Sequence, residues 1–90
     1  MDAKAFEAGL TADGYQRIET KELPRGHRAD SHAHDFSIRA LVLAGEITLT
    51  WNGTSRSFRA GEEFTMDAGC AHTEAVGPDG VRYLVGRLIH

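Results

Sequence analysis

The sequence has a single cysteine, Cys70, so an internal disulfide is excluded and a reducing compartment suits the chain. No apolar run is long enough to cross a bilayer, and Met1 to Lys4 lack the apolar core of a signal peptide. A basic run is also missing, and the net charge is −3. We therefore expect a cytoplasmic protein with no membrane and no nucleic-acid partner.

Proline is scarce, with two residues, whereas glycine is frequent, with ten in a chain of 90. This composition indicates many turns and favours short strands over long helices. Asn52-Gly53 stands between two β-like runs, 37–51 and 55–59, and predicts a type I′ hairpin. A helix of one or two turns is the most that residues 2–9 can form, with Phe6 and Leu10 as its anchors.

About seven short strands are predicted, separated by turn residues every eight to twelve positions. Residues 15–23 form an edge strand, with Tyr15 and Arg17 on one face and Ile18 on the other. Residues 40–44 are apolar on both faces, so the N-terminal segment or a second subunit should cover the outer one. Gly45 indicates a bend or bulge, and 77–80 a tight loop between two strands. The fold class is all-β, a sandwich or barrel with little or no helix, in one domain spanning 1–90.

Two histidines, His32 and His34, are separated by one residue. In a β-strand this spacing places both imidazoles on the same face. A third histidine, His72, follows much later in the chain. Two neighbouring imidazoles and a distant one are typical of a metal site assembled from separate strands, and imidazole suits zinc, iron, copper and nickel.

Two stretches, 26–45 and 61–76, resemble the two motifs of the cupin superfamily. The first stretch has the spaced residues Gly26, His32, His34, Ile38 and Gly45. The second has Gly61, Asp67, Gly69, His72 and Val76. The fifteen residues between them match the short spacing of small bacterial cupins. This resemblance implies a small double-stranded β-helix, or jelly roll, with a metal held inside by His32, His34 and His72.

The chain departs from the cupin pattern at three positions. Ile38 stands where the motif has its glutamate ligand, Asp67 where it has proline, and Val76 where it has asparagine. Loss of the glutamate bears directly on the metal site, because three imidazoles then remain without a carboxylate. We expect the ion to be a divalent transition metal: zinc, iron, nickel or manganese.

Further candidates surround the predicted ligands. Glu74 is in phase with His72 and is either a further ligand, an acceptor for a ligand imidazole, or a solvated strand residue. Cys70 is either a thiolate ligand or a small buried hydrophobe. Asp35, His27 and His90 are interpreted as surface residues. The predicted pocket lining consists of Ile38, Ala40, Val42, Phe64, Met66 and Val76.

Three functions fit this pattern. The first is a metal-dependent enzyme, such as an oxygenase, isomerase or lyase, acting on a small anionic or chelating molecule. The second is a non-catalytic module that senses a small ligand or a metal. The third is a metal-free barrel that serves as a dimer scaffold. In each case we expect a homodimer, because strand edges and the doubly apolar stretch 40–44 would be covered by a second copy.

Overall fold

The computed structural model describes residues 2–89. One helix precedes six antiparallel strands of a single sheet. The elements in chain order are α1 (Ala3–Ala12), β1 (Gln16–Leu23), β2 (Arg28–His32), β3 (Phe36–Trp51), β4 (Thr54–Arg59), β5 (Glu63–Met66) and β6 (His72–Ile89). The all-β prediction with little helix is therefore confirmed.

The two long strands, β3 and β6, form the central ladder of the fold. They pair from Phe36 opposite Ile89 to Thr50 opposite Thr73. On the other edge of β6, β1 and β2 pair with different halves of that strand. On the edge of β3 that faces away from β6, β5 pairs with the first half of β3 and β4 with the second half. Each long strand thus belongs to both ends of the barrel, and one end carries the histidines.

Gly45 marks the place where β3 bends. Its φ is 80°, and the β3–β6 register shifts on both sides of it. A Cβ built on Gly45 would lie 1.9 Å from the carbonyl oxygen of Gly80. Only glycine allows this close backbone approach, so the predicted bend is confirmed.

The inner face of the sheet encloses the main core. Alternating residues of β3 and β6 point inward there, as a period of two requires. The buried residues of this core are Ala40, Val42, Ile47, Leu49, Phe58, Phe64, Met66, Val76, Val81, Tyr83 and Val85.

Helix α1 covers the outer face of the central ladder. Its buried residues Phe6 and Leu10 pack with Leu41 and Leu84 in a second cluster. Asp2 caps the helix by accepting a hydrogen bond from the Lys4 backbone N–H at 3.0 Å. The N-terminal segment is thus what covers the apolar stretch 40–44. Among residues 2–89, no helix is long and apolar enough to span a membrane.

The boundaries differ from the sequence-based prediction in three places. Helix α1 extends to Ala12, beyond the predicted 2–9, because packing of Leu10 stabilises its last turn. The predicted loop 77–80 lies inside β6, where it falls in the register gap between Val76 and Val81. Within residues 2–89 there are therefore six strands and not the predicted seven or so. Asn52 and Gly53 have φ values of 49° and 76°, and this confirms the predicted hairpin turn.

A bulge in β1 changes which side chains share a face. The register shifts between Gln16 and Glu19, and Arg17 adopts a left-handed φ of 51°. Tyr15 therefore packs with Ile18 on the outer cluster, whereas Arg17 lines a cavity on the inner side. The prediction that Tyr15 and Arg17 share a face is wrong, because the extra residue of the bulge breaks the alternation. The edge position of β1 is confirmed.

Candidate metal centre

The three predicted histidines converge at one end of the barrel. His32 is the last residue of β2 and lies opposite His72, the first residue of β6. His34 lies beyond the end of β2, so strand alternation does not explain its direction. Its backbone carbonyl accepts a hydrogen bond from the N–H of Gly69 at 2.8 Å, which holds this segment against the corner before β6.

The imidazole rings are close enough to share one ion. One ring nitrogen from each histidine lies within 4.8 Å of those of the others. The ring centroids are 4.4 Å apart for His32 and His72, 5.0 Å for His32 and His34, and 5.8 Å for His34 and His72. Nitrogens on one zinc ion lie at most ~4.2 Å apart, twice the Zn–N bond length, so small ring rotations bring all three onto an ion.

Backbone carbonyls fix the orientation of two of the rings. Nδ1 of His32 donates to the Asp30 carbonyl at 2.8 Å, and Nδ1 of His72 donates to the Cys70 carbonyl at 3.1 Å. Because a carbonyl only accepts, Nδ1 carries the proton in both contacts. In the neutral ring Nε2 then presents a lone pair, which is the form that binds a metal.

Glu74 brings a carboxylate to these two nitrogens. Its Oε2 lies 3.3 Å from Nε2 of His32 and 3.4 Å from Nε2 of His72. When both rings are neutral, Oε2 of Glu74 faces an Nε2 lone pair on each ring, so acceptors face acceptors. Such a donor set fits a cation, because a proton or a metal ion between the atoms removes their repulsion.

Electrostatics around His34 also favour the neutral imidazole. Burial, and then the neighbouring His32 and His72, lower the pKa of His34 below its usual value, against an opposing effect of Glu74. The ring of His34 stacks on Phe36, with centroids 4.7 Å apart. Arg87 also contacts Phe36, because the Cζ of its guanidinium lies over that ring, 4.5 Å from the centroid.

A cavity of about 230 Å³ opens beside the histidines. His32, His34 and Glu74 line it, together with the predicted lining residue Ile38. A smaller cavity of about 20 Å³ shares Ile38, Glu74 and Tyr83 with the larger one and is also lined by His72, Phe64 and Met66, among others. The other predicted lining residues, Ala40, Val42 and Val76, are packed in the main core.

His27 differs from its interpretation, whereas Asp35 agrees with it and Cys70 fits one of its two alternatives. His27, taken as a surface residue, is partly buried and lines the larger cavity. Cys70 packs partly against the core, and its backbone carbonyl, not its thiol, contacts His72. Asp35 is exposed, as predicted, and His90 lies outside the described residues.

Sequence reasoning missed Arg87 and its cation–π contact with Phe36. The signal was present in β6, where Arg87 alternates in phase with the inward-facing Val81, Tyr83 and Val85. A charged residue in an inward phase indicates a functional cavity, because an unpaired charge is costly to bury.

Several solved structures have a similar fold. A protein of unknown function from Rhizobium leguminosarum matches with a TM-score of 0.76 and 18% identity, over 81% of this chain and 69% of that one. An RmlC-like cupin from Shewanella frigidimarina matches with a TM-score of 0.68 and 21% identity, over 79% and 63%. A cupin superfamily protein from Desulfitobacterium hafniense matches with a TM-score of 0.69 and 15% identity, over 84% and 81%.

No protein-family model and no curated protein matches the chain. The structural likenesses lie below 25% identity and therefore establish the fold, the double-stranded β-helix, without assigning an activity.

Proposed function

We propose that this chain, which has the cupin fold, binds a divalent transition metal through His32, His34 and His72, with Glu74 as a fourth ligand. The metal centre binds or acts on a small anionic or chelating molecule in the adjoining cavity. The ion is zinc, iron, nickel or manganese, the metals that a set of imidazoles and a carboxylate suits.

One observation carries this proposal. Oε2 of Glu74 lies 3.3 Å from Nε2 of His32 and 3.4 Å from Nε2 of His72, while Nδ1 of both rings donates to a backbone carbonyl. A proton or a metal ion must lie between such acceptors, and the convergence of three imidazoles favours the metal ion.

The residues divide the work at this centre. A bound divalent ion would supply Lewis-acid chemistry, by polarising a ligand oxygen or lowering the pKa of water. The carbonyls of Asp30 and Cys70 hold two rings in the binding tautomer. Glu74 supplies negative charge from β6, where the cupin motif would supply it from the position of Ile38 in β3. An oxygenase, isomerase or lyase reaction is compatible with this arrangement.

The proposal is tested by metal content and by zinc affinity. The full chain is purified, its metals are quantified by mass spectrometry, and the metal-free protein is titrated with zinc against a chromogenic chelator. We expect one ion per chain, and for His32→Ala and His34→Ala a loss of affinity of at least about 100-fold.

His27→Ala is the matched control. His27 lines the same cavity but lies outside the cluster of three ring nitrogens. Zinc affinity should change less than about twofold in this variant. Equal losses in all three variants, or a wild-type chain that binds no metal, would contradict the proposal and favour a metal-free barrel.

We also propose that the protein is a cytoplasmic homodimer. The single cysteine supports a reducing compartment. Because α1 covers the outer apolar cluster, the support for a dimer now comes from the strand edges, of which β1 and β4 end the sheet. Light scattering should give twice the chain mass of 9.8 kDa. A mass of one chain at micromolar concentration would contradict the dimer.

A further inference from the structure

The cavity beside the histidines has an excess of unpaired positive charge. Three basic side chains line it, and one of them, Lys21, is paired with Glu19 at 3.7 Å. The other acidic residue of the lining, Glu74, faces the histidines. Within residues 2–89, Arg17 and Arg87 therefore have no carboxylate partner.

Arg87 is positioned to recognise an anion. It is partly buried, and its Cζ lies over the ring of Phe36, 4.5 Å from the centroid. The Phe36 ring has no oxygen or nitrogen acceptor, so this cation–π contact leaves the N–H donors of the guanidinium for another partner. Those donors match the two oxygens of a carboxylate, which arginine binds in a bidentate manner.

Arg17 is an exposed residue that also lines this cavity, and it lies in the bulge of β1. Its neighbour Gln16 is the register partner of Arg87, so the two arginines lie on adjacent strands. Its left-handed φ of 51° is unfavourable for a side chain with a Cβ, and such strain is typical of functional sites. A bulge that directs a cation into a cavity is a recognised way to aim a side chain.

From these observations we propose that Arg87, with Arg17 on the adjacent strand, binds the carboxylate of a small organic acid. A second oxygen-bearing group of the same acid, a keto group or another carboxylate, then reaches the metal centre. This inference rests on the proposed function, because the second oxygen needs the ion. The cavity volume of about 230 Å³ is below the 300–1,000 Å³ of pockets for drug-sized ligands, so the acid is small. The class is that of 2-oxo acids and short dicarboxylates.

The test is a calorimetric titration of the zinc-loaded full chain with malonate and pyruvate, and with malonamide as a neutral analogue of similar size. We expect both acids to bind and malonamide to bind at least about tenfold more weakly. Arg87→Gln should lower the affinity for malonate by about 10–100-fold, as expected for loss of a hydrogen-bonded charge pair.

Arg82→Gln is the matched control. Arg82 lies on the same strand, is exposed and pairs with Glu22 at 3.9 Å, away from this cavity. Its substitution should leave malonate affinity within about twofold. Arg17→Gly provides a second variant, because glycine accepts the left-handed φ. Arg17→Gly should lower the affinity for malonate, while its melting temperature should equal or exceed that of the wild type.

Zinc affinity is measured separately for each variant, which separates the two proposals. Unchanged zinc affinity together with weakened malonate binding in Arg87→Gln supports the inference. If the wild-type chain binds zinc but neither acid, or if Arg87→Gln and Arg82→Gln behave alike, the inference is overturned and the metal site stands. If the chain binds no zinc, both are overturned.

Discussion

Glu74 and Ile38 decide where the carboxylate of the centre originates. Glu74 approaches two imidazoles from β6, and Ile38 lines the same small cavity from β3. We predict that Glu74→Gln lowers zinc affinity by about 10–100-fold, because the neutral amide cannot offset the charge of the ion. Ile38→Glu in the Glu74→Gln background should recover part of this loss.

Zinc competition measures all of these affinities, with Glu22→Gln as a control for general loss of negative charge, since Glu22 is 72% exposed. If Glu74→Gln and Glu22→Gln have the same small effect, Glu74 is a solvated strand residue. If the double variant folds but recovers nothing, Ile38 does not face the ion.

Tyr83 gives the protein a dependence on alkaline pH. Burial, and then Glu74 and Glu19, raise the pKa of Tyr83 from 10.0 to about 12. In the unfolded chain the phenol ionises near pH 10, so the unfolded state loses its proton first. We predict that stability falls as the pH rises above about 10, by on the order of 2–3 kcal/mol at pH 12.

Urea unfolding at a series of pH values checks this prediction, and phenolate absorbance gives the pKa directly. Tyr83→Phe should remove this part of the pH dependence. A Tyr83 that titrates near pH 10 in the folded protein would show that burial does not act on it.

At the scale of the elements, the bend of β3 depends on Gly45. A Cβ there would lie 1.9 Å from the Gly80 carbonyl oxygen, a backbone atom that cannot rotate away. We predict that Gly45→Ala destabilises the protein by more than about 4 kcal/mol or prevents folding. Gly61→Ala is the control, because Gly61 also has a positive φ, 89°, but a Cβ built there would have no atom of a non-neighbouring residue within 4 Å.

Gly61→Ala should cost only the backbone strain, on the order of 1 kcal/mol. Denaturant unfolding of both variants gives the comparison. Equal effects would mean that left-handed strain, and not the approach of Gly80, determines the requirement for glycine at position 45.

Helix α1 packs on the outer face of the barrel, and none of its residues lines the two cavities beside the histidines. Phe6 is 2% exposed and packs on the outer cluster. Arg39 also links the helix to the sheet through Asp13 at 3.2 Å and Glu63 at 3.4 Å. We predict that Phe6→Ala costs about 3–5 kcal/mol in the free energy of unfolding and leaves zinc affinity unchanged.

Glu7→Ala, an exposed change on the same helix, is the control for helix substitutions in general. Urea unfolding and zinc competition are measured on both variants. If Phe6→Ala also weakens zinc binding, the outer cluster and the metal-binding end are coupled through the central ladder.

At the scale of the whole molecule, an ion at the three histidines would join elements that are distant in sequence. His32 and His34 precede β3, and His72 follows β5. Because the unfolded chain does not hold the three rings together, zinc binds the folded state preferentially. We predict a stabilisation of about 2.7 kcal/mol at a zinc concentration 100 times the dissociation constant.

Thermal unfolding with and without zinc checks this prediction, and a chelator should reverse the increase in melting temperature. The His32→Ala variant should show no such increase. A rise of the same size in that variant would mean that zinc binds elsewhere on the chain.

The sequence by itself determined the all-β class, the Asn52-Gly53 hairpin, the bend at Gly45 and the three histidines that converge. These features depend on local rules, namely the alternation of side chains along a strand and the φ angles that glycine and asparagine adopt. The cupin resemblance added the architecture, because two spaced motifs also encode the order of the strands.

The tertiary structure alone decided the features that depend on strand register. The alternation of β6 left two orientations open for Glu74, toward solvent or toward the inside of the barrel. The pairing of β2 with β6 brings its carboxylate next to His32 and His72. The bulge that turns Arg17 into the cavity results from the fit of β1 to β6. Register and packing join residues far apart in the chain, so no local pattern can specify them.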